Sequence, residues 1–377
     1  MKSYLIKEIE PNSFFSKTVY LDGDFVIAAP EMALSKDITK ILEKWSFNQI
    51  VSEGEPCKDY TSVAAEGESQ ENVVGLEADA DKLEKAREFY SALLKFTDNL
   101  FLKARVSDEL EYNMVSEKAR EIVEYVKEDR RFIMRIIKTT EPAHDKNYLA
   151  AHSVRSTILA IIIGSFLKLP NHKLLELGIA SLVHEAGMLK LPPQLYLSDK
   201  QLSESEKKAI TSHPVLGYSM LKGFRFPLSI CLACLEHHER ENASGYPRKL
   251  PGEKIGLYSK IIAVACSYEA LSSKRPHKEA KDGYTGMLEL LKNEGRKYDD
   301  TIVKALVVSL SIYPIGLHVL LSNKKKGQVI DVNPENPRFP IVQIFGEITP
   351  DGKNKVAQTE PTGLHIIRPL NKSEIGN

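Results

Sequence analysis

From Lys82 to about residue 312 the apolar residues of this chain recur at helical spacing, and six of its ten histidines fall between residues 152 and 238 of that stretch. Leu83, Ala86, Tyr90, Leu93, Leu94 and Phe101 mark one face of a first helix. Leu110, Met114, Ile122, Val123, Val126, Ile133 and Ile137 mark one or two more. The helical pattern is interrupted at Pro192-Pro193, at Pro214 and in a loop from Ser244 to Pro251. The middle of the chain is therefore committed to helices.

The flanks read differently. Tyr4 to Ile9 and Thr18 to Ala28 are rich in β-branched and aromatic residues, and Asp22-Gly23 splits the second run as a hairpin turn would. Glu53, Glu55, Asp59, Glu66, Glu68, Glu71, Glu77, Asp79 and Asp81 then stand among small residues, with no apolar set to bury. After Tyr313-Pro314 strand patterns return at His318–Leu321, Gln328–Val332, Ile341–Ile348 and Leu364–Ile367. The expected organisation is an N-terminal strand/helix module (1–52), an acidic linker (53–81), a helical connector (82–144), a helical domain (145–316) and a β-rich extension (317–377). The fold class is α+β, mainly helical.

Composition removes several classes of function. Lys+Arg and Asp+Glu are 51 each, so no global field favours a nucleic-acid polymer or an anionic membrane, and an anionic ligand needs a local cluster. The longest mostly apolar stretch, Ile158 to Leu167, is short of the ~20 residues that cross a bilayer. Met1-Lys2-Ser3-Tyr4 lacks the apolar core of a signal peptide. Four cysteines in a chain this long make no disulfide framework. A cytoplasmic protein without membrane insertion is expected.

The histidines sit where helices end. His184-Glu185 closes the apolar run Leu177–Val183, His213 precedes Pro214 at a helix start, and His237-His238-Glu239 follows the run Ile230–Leu235. Imidazoles and carboxylates converging from separate helices suit a borderline metal, and a carboxylate among them can bridge two ions. The other reading of any single histidine is a packed, hydrogen-bonded residue; His172 and His144, in polar surroundings, belong to that reading.

The segments His184-Glu-Ala-Gly-Met-Leu-Lys-Leu-Pro192, His213-Pro-Val-Leu-Gly217 and His237-His-Glu-Arg-Glu-Asn-Ala-Ser-Gly-Tyr-Pro247 occur in order. They are followed by Ile261-Ile-Ala-Val-Ala-Cys-Ser-Tyr-Glu-Ala-Leu271 and Ser273-Lys-Arg-Pro-His277. Together they resemble the HD-GYP family over roughly residues 145–320, and the flanking strand modules are similar to ones that accompany it. The resemblance implies a helical bundle that hydrolyses cyclic di-GMP by a metal-bridging hydroxide. It implies two divalent transition-metal ions: iron, manganese or zinc. His213, His237 and His238 would hold one with Glu185 bridging; His152, His184 and Cys266 would hold the other. His184 and Glu185 are the expected catalytic pair, and Tyr246, Arg275 and Lys278 the expected substrate contacts. Cyclic di-GMP, signalling proteins and a second copy of the chain are the expected partners.

Three positions depart from the family. Glu185 replaces its signature Asp, Met188 a phosphate-holding Lys, and Cys266 an Asp ligand. Cys266 can substitute as a softer ligand, or be a small buried residue on its helix. Tyr148 stands where three-metal members supply a carboxylate, so two ions are expected and not three. These changes lead to an expectation of reduced turnover, with a non-catalytic module that binds nucleotide or protein as the alternative. Cys231 and Cys234 are expected to be core cysteines, Lys324-Lys325-Lys326 a solvated turn, and Arg130-Arg131 a surface feature.

Overall fold

The computed structural model describes residues 2–57 apart from 11–12, 16–18, 22–25, 29–33, 35 and 45–46. It then describes 77–139 without 108, 148–197, 202–273 and 283–310. From 313 onward it omits 314, 332, 334–338, 350–353, 361–362, 371–373 and 375–377. The chain divides into two compact units, one of residues Met1–Leu76 with Leu310–Asn377, the other Glu77–Ser309.

The first unit carries the sheets. Strands β1 (Lys2–Leu5), β2 (Phe14–Phe15), β3 (Val19–Tyr20) and β4 (Val26–Ala28) precede helix α1 (Lys36–Lys44), and β5 (Gln49–Ser52) and β6 (Pro56–Cys57) follow it. β1, β5, β3 and β4 form an antiparallel sheet in that order, with Ser3 opposite Val51 and Val19 opposite Ser52. Val19, Ile50 and Ser52 are fully buried in it, and Phe15 and Leu34 are buried beside them in the same unit. The pairing of β3 with β4 agrees with the hairpin reading, although residues 22–25 lie outside the described residues. β6 pairs with β2, so the acidic stretch expected to be a linker opens with a strand and, at Glu77, ends in a helix.

Five more strands complete the unit: β7 (His318–Leu321), β8 (Lys326–Asp331), β9 (Ile341–Ile348), β10 (Asn354–Gln358) and β11 (Ile366–Pro369), in the order β10-β9-β8-β7-β11. Burial alternates along β7 and β8 as a half-covered sheet requires. Lys324 and Lys325 are exposed in the β7–β8 turn, and the Lys325 ammonium donates to Glu347 at 2.6 Å. The solvated-turn reading holds for these two.

The second unit is a helical bundle. Helices α2 (Glu77–Val106) and α3 (Tyr112–Thr139) bury Ala86, Tyr90, Leu93 and Phe101, and Ile122, Val126, Ile133 and Ile137, as the periodicity predicts. The sequence suggests a mere connector over 82–144, yet α2 and α3 pack on each other and on α4 (Tyr148–Phe166), within the same unit. α4 is apolar all round and therefore belongs in a core. It is long and apolar enough to cross a membrane, but 89% of that span is buried inside the bundle, against α5 (Asn171–Leu182) and α10 (Leu257–Ser272). The chain between and after these forms α6 (Gln194–Leu197), α7 (Glu204–Ile210), α8 (His213–Gly223), α9 (Leu228–Glu236), α11 (Gly283–Lys292) and α12 (Asp300–Leu310).

α3 is kinked at Asp129, where φ is −127° and ψ is 35°. Arg130, just past the kink, is half-buried and donates to the carbonyl of Ser309, one of the last-turn carbonyls of α12 that has no helical donor. Arg130 is thus a tie between two helix ends and not the surface feature expected of it. A charge after a helix break gives no sign in the sequence of which helix end it will meet.

Candidate metal centre

Three helix ends and the body of a fourth helix deliver the site. The apolar face of α5 runs out at Leu182, and the turn that follows carries His184 and Glu185 into a 3₁₀ helix over Ala186–Lys190. His213 opens α8 with Pro214 in its first turn, where a missing N–H costs nothing. His237 is the C-cap of α9, with His238 next to it. His152 comes from the buried middle of the bundle, on α4.

Each ring is oriented by its other nitrogen. The Nδ1 atoms of His184, His213 and His237 lie 2.6, 2.7 and 2.7 Å from the carbonyls of Ser181, Ile210 and Cys234. A carbonyl can only accept, so Nδ1 carries the proton and Nε2 keeps a lone pair for the cavity. His152 is held the same way by the carboxylate of Glu269. The Nε2 atoms of His213 and His237 face one another at 3.2 Å.

Glu185 joins the set. Its Oε1 lies 3.5 Å from His152 Nε2 and 3.7 Å from His184 Nε2, while its Oε2 lies 3.4 Å from His213 Nε2. Two groups of donors result, each with its ligand atoms within 4.8 Å of one another: Glu185, His213, His237 and His238; and His152, His184 and Glu185. One carboxylate oxygen faces each group. The Nε2 of His184 is fully buried and has no hydrogen-bond partner. An unpaired buried lone pair is costly, and a cation held between these nitrogens and the carboxylate satisfies it. The donor set fits a pair of transition-metal ions.

The electrostatics fit as well. Burial, with the neighbouring imidazoles, holds His237 and His238 well below the ordinary histidine range and His184 at about 4. Burial alone would raise Glu185, but His213, His152 and His184 outweigh it and hold its carboxyl well below the usual value. Neutral rings and an ionised carboxylate are the protonation states that metal ligation needs.

These shifts fix a pH dependence for the metal-free protein. Between about pH 4 and 6.5 unfolding releases His184 to take up a proton that the folded chain refuses, so stability rises with pH across that window and is lost as pH falls through it. His184 alone contributes on the order of 3 kcal/mol, and Glu185 carries the effect to lower pH with the same sign. Melting temperatures of metal-stripped protein should fall between pH 7 and pH 5, less steeply in His184→Gln. A flat wild-type profile would contradict the buried neutral histidine.

The loop that covers this side is clamped by two buried carboxylates. Glu239 accepts the backbone N–H groups of Arg248 and Leu250 at 2.6 and 2.9 Å. Glu236 accepts from Gly256 N at 3.1 Å, from the Ser259 hydroxyl at 3.1 Å and from the Arg248 guanidinium. The clamped loop lays the Tyr246 ring on His238, centroids 4.6 Å apart and 20° from parallel. Burial and the nearby Glu185 push the Tyr246 phenol up, so it stays a donor at neutral pH. Sequence patterns do not single out Glu236 and Glu239; acidic residues on either side of a His-His pair are the signal available.

The remaining expected residues fall out unevenly. Cys266 is buried on α10, its thiol 3.6 Å from the Ala263 carbonyl, and it belongs to neither group of converging donors. Glu269, one turn on, is the α10 side chain that meets His152. Met188 is buried and Lys190 exposed. Arg275, Lys278 and His144 lie outside the described residues, and His172 is exposed on α5. Tyr148 stacks near His152 with ring centroids 6.1 Å apart. Cys231 and Cys234 are core cysteines; the Cys234 thiol donates to the His184 carbonyl at 3.2 Å and so steadies the turn that carries His184.

Known proteins resemble the chain over its helical part. Residues 123–302 match the family model described as HD domain. The cyclic di-GMP phosphodiesterase PdeB of Borreliella burgdorferi is 29% identical over 238 residues, 62% of this chain and 63% of that protein. The cyclic di-GMP phosphodiesterase response regulator RpfG of Xanthomonas campestris is 30% identical, over 55% of this chain and 58% of its own length. A cyclic di-GMP phosphodiesterase of Pseudomonas aeruginosa is also 30% identical, over 52% and 48%. The chain thus spans about half to just under two thirds of these relatives. Among solved structures, the HDG"Y"P protein of Bdellovibrio bacteriovorus aligns with a TM-score of 0.50 at 14% identity, covering 81% of this chain and 97% of that one, which is a likeness of fold.

Proposed function

The chain belongs to the HD domain proteins, in their HD-GYP branch, and from that premise we propose that it is a metal-dependent phosphodiesterase acting on cyclic di-GMP, the substrate its curated relatives are named for. The observation that carries the reading is the division of Glu185 between the two imidazole groups, one oxygen to each. In this reading His213, His237 and His238 hold one ion, His152 and His184 the other, and Glu185 both. Iron, manganese and zinc are the ions that this nitrogen and oxygen set suits.

When bound, such ions activate a water for attack on phosphorus and offset the charge that develops on the phosphate oxygens. The chain's own residues do the rest. Glu185 fixes the spacing of the two groups, and its additional methylene over aspartate makes it the adjustable part. The buried rings of His184 and His237 keep bulk water out of the ligand set. Tyr246 presents a protonated phenol beside His238, where it can donate to a substrate oxygen. Arg275 and Lys278 are assigned to the phosphates on the resemblance. A cytoplasmic setting and contacts with signalling proteins or a second copy belong to the same proposal.

One observation favours a second reading. Met188 is buried and uncharged where the family places a lysine on phosphate, so the site keeps its ligands better than its substrate clamp. A module that binds nucleotide or protein without turnover has that composition.

Metal analysis of the purified chain, followed by cyclic di-GMP hydrolysis with iron, manganese and zinc, separates the readings. Two ions per chain with a linear dinucleotide or GMP as product support the enzyme. No metal under any loading, or bound metal and nucleotide with no product, supports the module and sinks the enzyme. Within the same assay His237→Ala should release an ion more readily than Cys266→Ala, since His237 lies in a converging group and Cys266 does not. Equal losses would return Cys266 to the ligand set.

A further inference from the structure

His184, His213 and His237 each rest Nδ1 on a carbonyl three residues earlier in their own segment. His152 does not. Its Nδ1 is held by the side chain of Glu269, from a different helix, so the aim of its Nε2 into the cavity depends on where that carboxylate sits. Glu269 is 3% exposed and ionised groups at that depth require a partner. Arg155, one turn from His152 on α4, supplies it, with Nη1 3.7 Å from Glu269 Oε1.

Arg155 is itself buried and held from two sides. Its Nε donates to the Tyr90 hydroxyl at 2.9 Å, and its Nη1 to the Ser273 hydroxyl at 3.2 Å, at the C-cap of α10. Tyr90 is 2% exposed on α2. It lies ahead of residue 123, where the match to the HD domain begins. A line of polar groups therefore runs through the apolar core from α2 to α4, across to α10, and back to a ring of the metal centre. A buried ion pair is poor evidence of stabilisation, since apolar side chains of the same size often do better. Holding a ligand in one orientation is the use that fits these contacts.

We propose that Tyr90, Arg155 and Glu269 are positioning residues for His152, and that through them the placement of α2 sets how tightly the His152–His184 half of the centre binds metal. The α2 helix is the one through which the chain enters the bundle after residue 76. A shift of α2 along its axis carries the Tyr90 hydroxyl away from Arg155, which loosens Glu269 and with it the imidazole. The proposal rests on the metal reading given above.

The test is a calorimetric titration of the metal-stripped full-length chain with Mn²⁺, alongside melting temperatures. Wild type should take up two ions. Glu269→Gln, which keeps an acceptor but loses the charge, should weaken one of the two by about 10–100-fold and leave the other unchanged. Tyr90→Phe, which removes a single hydroxyl and keeps the ring, should weaken the same ion by a smaller factor and keeps the test open if Glu269→Gln does not fold. Lower melting temperatures with both affinities unchanged, or both affinities reduced alike, would assign the network a structural role and overturn the proposal. Two ions in wild type with unchanged binding in Tyr90→Phe and Glu269→Gln would sink the relay alone; no binding in wild type would sink the metal reading first.

Discussion

Glu185→Ala is expected to empty both halves of the centre, where His237→Ala empties one. Among the described residues Glu185 is the one anionic ligand in either group, and its two oxygens face different groups. Without it, neutral imidazoles remain, and a divalent ion placed among them has no anionic ligand. Loss of both ions would remove several kcal/mol of stabilisation from the charge that develops on phosphate, so the proposed hydrolysis of cyclic di-GMP should fall by roughly 10³-fold or more. Glu185→Asp, one methylene shorter, should keep both ions at changed affinity. Metal content by mass spectrometry is the direct measurement, and one ion retained per chain in Glu185→Ala would refute the bridging role.

The second large effect is on stability. A Cβ built on Gly187 lies 1.9 Å from the carbonyl oxygen of His213 and 2.5 Å from the backbone N of Gly217. Both obstacles are backbone, so neither can swing aside as a flexible side chain would. Gly187→Ala must therefore push the 3₁₀ helix after Glu185 away from α8, at a cost of about 3 kcal/mol or more and a drop in melting temperature of roughly 6–12 °C. Because His213 is the residue displaced, its share of metal binding should fall as well. Gly223→Ala, at the end of α8 with nothing within 4 Å of its Cβ, is the control and should be neutral or mildly stabilising. Equal melting temperatures for the two variants would show that the two backbones are not in contact.

Much of this is legible in the order of the amino acids. Helix faces announce themselves by period, so α2, α3 and the burial of Tyr90 or Ile133 can be read from it, as can β7, β8, β9 and β11 to within two residues. The histidines stand out because an imidazole or carboxylate at the end of an apolar run has nowhere to go but inward. What escapes depends on partners far apart in the chain. β10 has only Val356 and Ala357 to bury and shows no strand pattern by itself; β9 beside it makes it a strand. The glycines at 187 and 217 lie inside the histidine motifs, but their reason is an approach of two backbones that no local pattern encodes. Cys266 and Glu269 sit one turn apart on α10, and sequence cannot tell which of them faces His152.

The burial of α4 also has a consequence for time. A helix enclosed on every side opens only when the whole bundle opens, while a loop and a half-exposed ring open far more often. His152 rides on that enclosed helix, whereas His238 is half-buried beside the loop that carries Tyr246. The two halves of the centre therefore keep different clocks. In the proposed centre an ion on the His238 side would exchange with local opening, and one on the His152 side only with opening of the bundle. Chelation of the loaded protein should accordingly proceed in two well-separated phases, the slower one tracking the rate of global unfolding.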